Sequence, residues 1–231
     1  MLREEHVEQF VARFIKSGDV VSIGTSRLGE VFLKKLALAL HAKHIDLEKV
    51  EFVPTSNHLA VIASQLHLPL ASLNESEIDV AIEFVDFVDS DFNFIKKDSF
   101  SLVRDKMIAQ SAGNLIVVLE GKGLLKTLRG KPILFEITTF GWKRTVSQLS
   151  MFGRAKLVEV DGKPKKTESG NYLTVVECDP SFSLEELENE TKHIPGVLET
   201  GLFLGYADKV LIHNKHLKLI SRSGAGKKAF V

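Results

Sequence analysis

Four short apolar runs, VVSIG at 20–24, KVEFV at 49–53, IDVAIEFV at 78–85 and NLIVVLE at 114–120, are separated by stretches whose apolar residues recur at helical spacing. No other feature of the chain limits its fold as strongly. Val7, Phe10, Val11 and Phe14 predict a helix ahead of the first run, ended by Gly18-Asp19. Leu28, Val31, Phe32, Leu36 and Leu40 mark a second helix, a third runs from about Asn57 to Leu66, and LVRDKMIAQSA at 102–112 forms a fourth. A strand that is apolar along its length is buried on both faces, and helices between successive strands supply the crossovers that parallel pairing needs. The pattern predicts a parallel sheet covered by helices on both faces.

After Gly130-Lys131-Pro132 the texture changes. ILFEITTF, a helix near 143–152, AKLVEV, a polar turn GKPKKTESGN, YLTVVEC, a helix near 183–192 and VLETGLFL follow in order. This order predicts a small α+β domain with antiparallel strands. The last apolar run, KVLIHN at 209–214, is expected to return to the first sheet. The resulting division is 1–130 with 206–231 for the parallel-sheet domain and 131–205 for the smaller one. The basic tail SRSGAGKKAF reads as a frayed end.

With 30 basic and 30 acidic residues, the chain has no overall field to attract nucleic acid or an anionic membrane, so any anion site is local. No apolar run reaches the roughly 18 residues of a membrane span, and MLREEHVEQF lacks the apolar stretch of a signal peptide. The lone Cys178 suits a reducing cytoplasm and reads as a structural thiol. Eight scattered histidines lack zinc-like spacing, and no metal site is expected.

The segment AIEFVDFVDSDFNFIKKDSFSLVRDKM, 81–107, sets Glu83, Asp86, Asp89, Asp91, Asp98 and Asp105 among apolar residues, with Lys96, Lys97 and Lys106 beside them. Asp89, Asp91 and Asn93 fit the first positions of a calcium loop, but Phe94 and Phe100 stand where its glycine and final glutamate belong. Asp89 and Asp91 therefore read as solvated loop residues. Glu83 and Asp86 interrupt a strand end, where a carboxylate is costly unless hydrogen-bonded or at work. GTSRLG at 24–29 joins a strand to a helix, a geometry that favours an anion. Glu30 and Val31 replace the Lys and Ser/Thr of a nucleotide-binding loop, and the alternative is a plain helix cap. VPTSN at 53–57 is a second strand end with hydroxyls on the same sheet edge.

Taken in order, VPTSN, IDVAIEFVDFVD, FNFIK, LVRDKMIA, TTFGWKRTV, SGNYLTVV and above all IPGVLETGLFLGYAD resemble type A ribose-5-phosphate isomerase over nearly the whole chain. The resemblance implies a Rossmann-like αβα domain with an inserted ferredoxin-like domain, assembled as homodimers or homotetramers. It also implies cofactor-free, metal-independent interconversion of ribose 5-phosphate and ribulose 5-phosphate in the pentose phosphate pathway, with a sugar phosphate as the partner molecule.

Carried over by position, the family's phosphate loop falls on Thr25, Ser26, Arg27 and Leu28, and its Asp-Gly-Ala-Asp motif on Glu83-Phe84-Val85-Asp86. Its Lys-Gly-Gly-Gly motif becomes Lys96-Lys97-Asp98-Ser99, its catalytic glutamate Asp105, and a substrate-contacting lysine Lys122. Aldose–ketose exchange needs one base to move a proton between neighbouring carbons and a cation to stabilise the enediolate. The resemblance gives Asp105 as base and Lys96 as cation, with Glu83 and Asp86 on sugar hydroxyls or proton relay. The replaced glycines predict a reshaped pocket, and a non-catalytic sugar-phosphate-binding or regulatory paralogue is the alternative reading.

Overall fold

The structure is a computed structural model and describes residues 4–42, 49–96, 98–120, 123–213 and 217–221. In chain order its elements begin α1 (Glu4–Phe14), β1 (Val20–Ile23), α2 (Arg27–Ala42), β2 (Glu51–Pro54), α3 (Asn57–Gln65), β3 (Ile78–Val85), β4 (Phe87–Val88) and β5 (Phe94–Ile95). Next come α4 (Leu102–Ser111), β6 (Ala112–Glu120), β7 (Pro132–Ile137), α5 (Trp142–Leu149), β8 (Gly153–Leu157), β9 (Glu159–Val160) and β10 (Lys163–Pro164). The chain closes with β11 (Tyr172–Cys178), α6 (Leu184–Lys192), β12 (Val197–Thr200), β13 (Leu202–Phe203), β14 (Lys209–His213) and β15 (Leu217–Ser221). Two compact units result. One draws on 1–84, 107–123 and 207–231, the other on 85–106 and 124–206. The second unit thus includes 85–106, 124–130 and Tyr206, which the sequence reading places in the first domain.

In the first unit a six-stranded sheet runs β15-β14-β6-β3-β1-β2. β1 pairs in parallel with β2 and β3, and β14 with β6, so KVLIH does return to this sheet. β15, which the sequence reading leaves out, closes the edge antiparallel to β14. The apolar stripes predicted for α1 and α2 meet over the sheet: the ring of Phe10 packs edge-on at 5.2 Å against Phe32, which lies 5.6 Å from Phe84 on β3. Phe84, which the resemblance sets at a glycine position, thus packs in the core. Among the described residues no helix is long and apolar enough to cross a membrane.

In the second unit β7, α5, β8, β11, α6 and β12 form a β-α-β-β-α-β unit whose sheet order is β12-β7-β11-β8, antiparallel throughout. This is the ferredoxin-like arrangement. Its core gathers Ile133, Phe135, Ile137, Leu149, Val176, Leu187 and Ile194. Ser183 starts α6 with a capping box: its hydroxyl accepts from the amide of Glu186, whose carboxylate accepts from the amide of Ser183. VLETGLFL, expected as one strand, is broken at Gly201. β12 stays in the four-stranded sheet, while β13 joins β5 and β4 in a three-stranded one.

Candidate active site

In the second unit the polar centre forms where β5 ends. Leu202 and Phe203 pair with Ile95 and Phe94, and the Phe94 and Phe203 rings stack at 4.5 Å. Beyond this clamp the Lys96 amide donates to the Gly201 carbonyl at 2.9 Å, while the Gly201 amide donates to Leu134. A Cβ on residue 201 would stand 2.5 Å from the Lys96 carbonyl oxygen, so this approach requires glycine. The side chain of Lys96, 1% exposed, then donates from Nζ to Oδ2 of Asp105 at 2.7 Å.

Asp105 lies in the first turn of α4 and is fully buried. The Ser99 Oγ accepts from the Ser101 amide at 3.0 Å and donates to the same Asp105 Oδ2 at 2.6 Å. Oδ2 thus takes both donors, and Oδ1 has no hydrogen-bond partner among the described residues. An unpaired buried acceptor costs about 1–3 kcal/mol. A buried ion pair also stabilises a fold poorly compared with apolar packing, although removing one partner costs about 3–5 kcal/mol. With Oδ2 occupied by two donors, Oδ1 is the carboxylate oxygen that keeps free acceptor capacity among the described residues.

Both neighbours of Asp105 are anchored. Arg104 Nη1 donates to Glu168 at 2.6 Å. Lys106, 4% exposed, reaches the Leu202 carbonyl at 2.6 Å, Glu188 and Glu199 at 3.3 Å each, and the Phe203 ring at 4.3 Å. The same two glutamates hold Lys192; burial works against its charge, but their attraction prevails and raises its pKa.

The first unit carries a separate set at the ends of β1, β2 and β3. Glu83 is fully buried, its carboxyl lying against Gly24 so closely that a Cβ on residue 24 would fall 2.0 Å from Oε2. Thr55 donates to the Ile23 carbonyl at 2.9 Å, so the 2.7 Å contact between the two hydroxyls is a bond from Thr25 to Thr55. Ser26 caps α2 by accepting from the Gly29 amide, and Ser56 caps α3 by accepting from Leu59. Arg27 is exposed at the start of α2, and Leu28 packs against the core.

Of the other candidates, Asp86 is exposed, and Asp98 is exposed with Lys165 at 3.9 Å. Lys97 and Lys122 lie outside the described residues, as does the basic tail after Ser221, which is the last residue of β15. Asp89 departs from the sequence reading. It is buried at 3% exposure and ties its loop together by accepting from the amides of Asp91 and Asn93 and from the Asn93 side chain. Burial raises its pKa against the lowering effect of those bonds. Among the described residues no group of three or more His, Cys, Asp or Glu could hold a metal ion. Sequence reasoning passed over Gly201, Ser101 and Glu136. The signal for Glu136 was available, because in ILFEI it shares a strand face with Leu134.

A sequence profile of the family Ribose 5-phosphate isomerase A (phosphoriboisomerase A) matches residues 51–216. The Ribose-5-phosphate isomerase A of Bacillus mycoides is 32% identical over 213 residues, which is 90% of this chain and 94% of that protein. A solved D-ribose-5-phosphate isomerase in complex with phospho-erythronic acid is similar at a TM-score of 0.85 and 30% identity, covering 95% of this chain and 97% of that one. Ribose 5-phosphate isomerase A from Methanocaldococcus jannaschii gives 0.84 at 28% identity, over 95% and 98%.

Proposed function

The chain belongs to the ribose 5-phosphate isomerase A family, and from that premise we propose that Asp105 is the base with which it interconverts ribose 5-phosphate and ribulose 5-phosphate. The observation that carries this assignment is the buried Asp105 carboxylate, fixed through Oδ2 by Lys96 and Ser99, with no partner for Oδ1 among the described residues. On the open-chain aldose, Oδ1 takes the C2 proton. The electron pair moves into a C1–C2 double bond, and the C1 carbonyl oxygen becomes the enediolate oxygen. Asp105 returns the proton to C1 while the proton of the C2 hydroxyl passes to the C1 oxygen, which leaves the C2 carbonyl and the C1 hydroxyl of the ketose. The Lys96 ammonium stabilises the negative charge that builds up on oxygen. Glu83 and Asp86 serve the sugar hydroxyls and their protons.

The phosphate is assigned to the start of α2, where Thr25, Ser26 and Arg27 lie at a helix N-terminus. Leu28 supports that turn from the core side. Lys97, Asp98, Ser99 and Lys122 complete the substrate contacts in this reading, with Ser99 acting through Asp105. The bound phospho-erythronic acid of the solved relative supports a sugar phosphate as ligand. A cytoplasmic homodimer or homotetramer completes the proposal.

The test is ketose formation from ribose 5-phosphate, with solvent hydrogen exchange at C2, in chelator-treated protein. Asp105→Asn is expected to abolish both while phospho-erythronic acid still binds the folded variant. Wild-type protein that binds ribose 5-phosphate but neither exchanges nor isomerises it would establish the non-catalytic paralogue instead.

A further inference from the structure

Another buried carboxylate, Glu136, is bonded to Ser101, which lies one helical turn before the proposed base. Glu136 on β7 is fully buried, and among the described residues it has no ion pair within 4.0 Å. Four donors converge on it instead. Oε2 accepts from Ser101 Oγ and from the Val103 amide, both at 3.2 Å. Oε1 accepts from Thr167 Oγ1 at 2.9 Å and from Asn171 Nδ2 at 2.8 Å. The hydroxyl directions are fixed by what each oxygen accepts: the Arg104 amide points at Ser101 Oγ, and the Asn171 amide at Thr167 Oγ1. Both hydroxyl protons are therefore turned toward Glu136, which acts purely as an acceptor.

Two of these donors belong to the beginning of α4. Its amides at the first turn have no partner within the helix, and Glu136 satisfies one directly and fixes the Ser101 cap that satisfies another. Leu134, on the same face of β7, packs against Leu102 and Leu173, so the turn is held by one apolar and one polar contact. The other two donors hold the 167–171 turn, which is also bound to this region through the Glu168 amide on the Phe100 carbonyl and the Arg104–Glu168 pair. The Asp105 amide closes the same helical turn onto Ser101 at 3.0 Å.

We propose that Glu136 is a positioning residue of the isomerase, setting the angle at which Asp105 presents Oδ1 by fixing the α4 N-terminus to β7 and to the 167–171 turn. The inference rests on Asp105 being the base. Glu136→Gln keeps the shape but sets an amide NH2 against groups that are all donors. Glu136→Asp keeps the acceptors and loses a methylene.

The experiment measures kcat and KM for ribose 5-phosphate, the Kd of phospho-erythronic acid, and melting temperature. Glu136→Gln is expected to lower kcat by about 10- to 100-fold, the scale of a misplacement near 1 Å, with Kd changed less than about threefold. Glu136→Asp is expected to recover part of that loss, an order that a space-filling role would reverse. A folded Glu136→Gln with kcat within about twofold of wild type overturns the proposal, as does a fall in kcat matched by equal weakening of Kd, or an Asp variant worse than Gln. Should Glu136→Gln not fold, Ser101→Ala and Thr167→Ala decide. Each removes one donor to Glu136, and the proposal requires a loss of kcat, at least about fivefold, that is larger for the helix-side Ser101; equal losses refute it. Asp105→Asn is run alongside: retained C2 exchange there defeats the assignment of the base, whereas loss of exchange there with a normal Glu136→Gln defeats only this inference.

Discussion

Gly201→Ala places one methyl group where two main chains meet. The new Cβ would stand 2.5 Å from the Lys96 carbonyl oxygen, 3.2 Å from that of Leu134 and 3.4 Å from the Leu134 Cβ. Ordinary contact begins near 3.4 Å, so about 0.9 Å must open between residues 96 and 201, the difference between 3.4 and 2.5. Neither side yields easily. The β5–β13 pairing and the Phe94–Phe203 stack hold the two segments together, and the Gly201 amide is bonded to Leu134 on β7. Overpacking of this kind costs about 1–3 kcal/mol. A displacement near 1 Å of the Lys96 main chain carries its ammonium away from Asp105, and such a misplacement costs about 100-fold in rate. The expected result is a folded protein of lower melting temperature with kcat for ribulose 5-phosphate formation down roughly 100-fold. Gly162→Ala is the control: its φ of +71° strains any larger residue, but nothing lies within 4 Å, so stability falls with kcat unchanged. A Gly201→Ala enzyme within about threefold of wild-type kcat would refute the claim that this glycine sets the position of Lys96.

Ser99→Ala removes the hydroxyl donor from Asp105 Oδ2 and leaves Lys96 as its partner; kcat is expected to fall about 10- to 100-fold, on the scale of the roughly 1.5–3 kcal/mol of a hydrogen bond to a charged group, with the Kd of phospho-erythronic acid unchanged. Burial pushes the Cys178 thiol up to about 12 from an ordinary 9.0. Because the folded form holds this proton more tightly, its contribution to stability is complete below pH 9 and is lost as pH rises toward 12, with a limiting slope of about 1.4 kcal/mol per pH unit. Urea unfolding between pH 8.5 and 11 should show that slope, and Cys178→Ala should flatten it.

The parallel sheet was legible because apolar runs such as IDVAIEFV and NLIVVLE have one physical use, as strands covered on both faces. The α+β order after Lys131 was legible for the same reason. What escaped was set by contacts distant in sequence. The break at Gly201 depends on Lys96, more than a hundred positions away, and VLETGLFL shows no sign of it by itself. Asp89, read as solvated, is buried because Asn93 and its own loop supply the donors. Lys96 and Asp105 were reached through family resemblance, whereas the partner that orients Asp105, Ser99, stands where that family has glycine and is one of its replacements.

The packing of Glu83 on Gly24 couples what the two positions can hold. Aspartate at 83 would end one methylene short of where this glutamate reaches, leaving residue 24 room to vary. Once glutamate is in place, every side chain other than glycine at 24 meets its carboxyl group. In this packing the two residues fit as a pair, glycine at 24 with the longer acid at 83. While Glu83 holds this side-chain position, Gly24 has no room for a Cβ. Two positions nearly sixty residues apart thus limit what each other can hold.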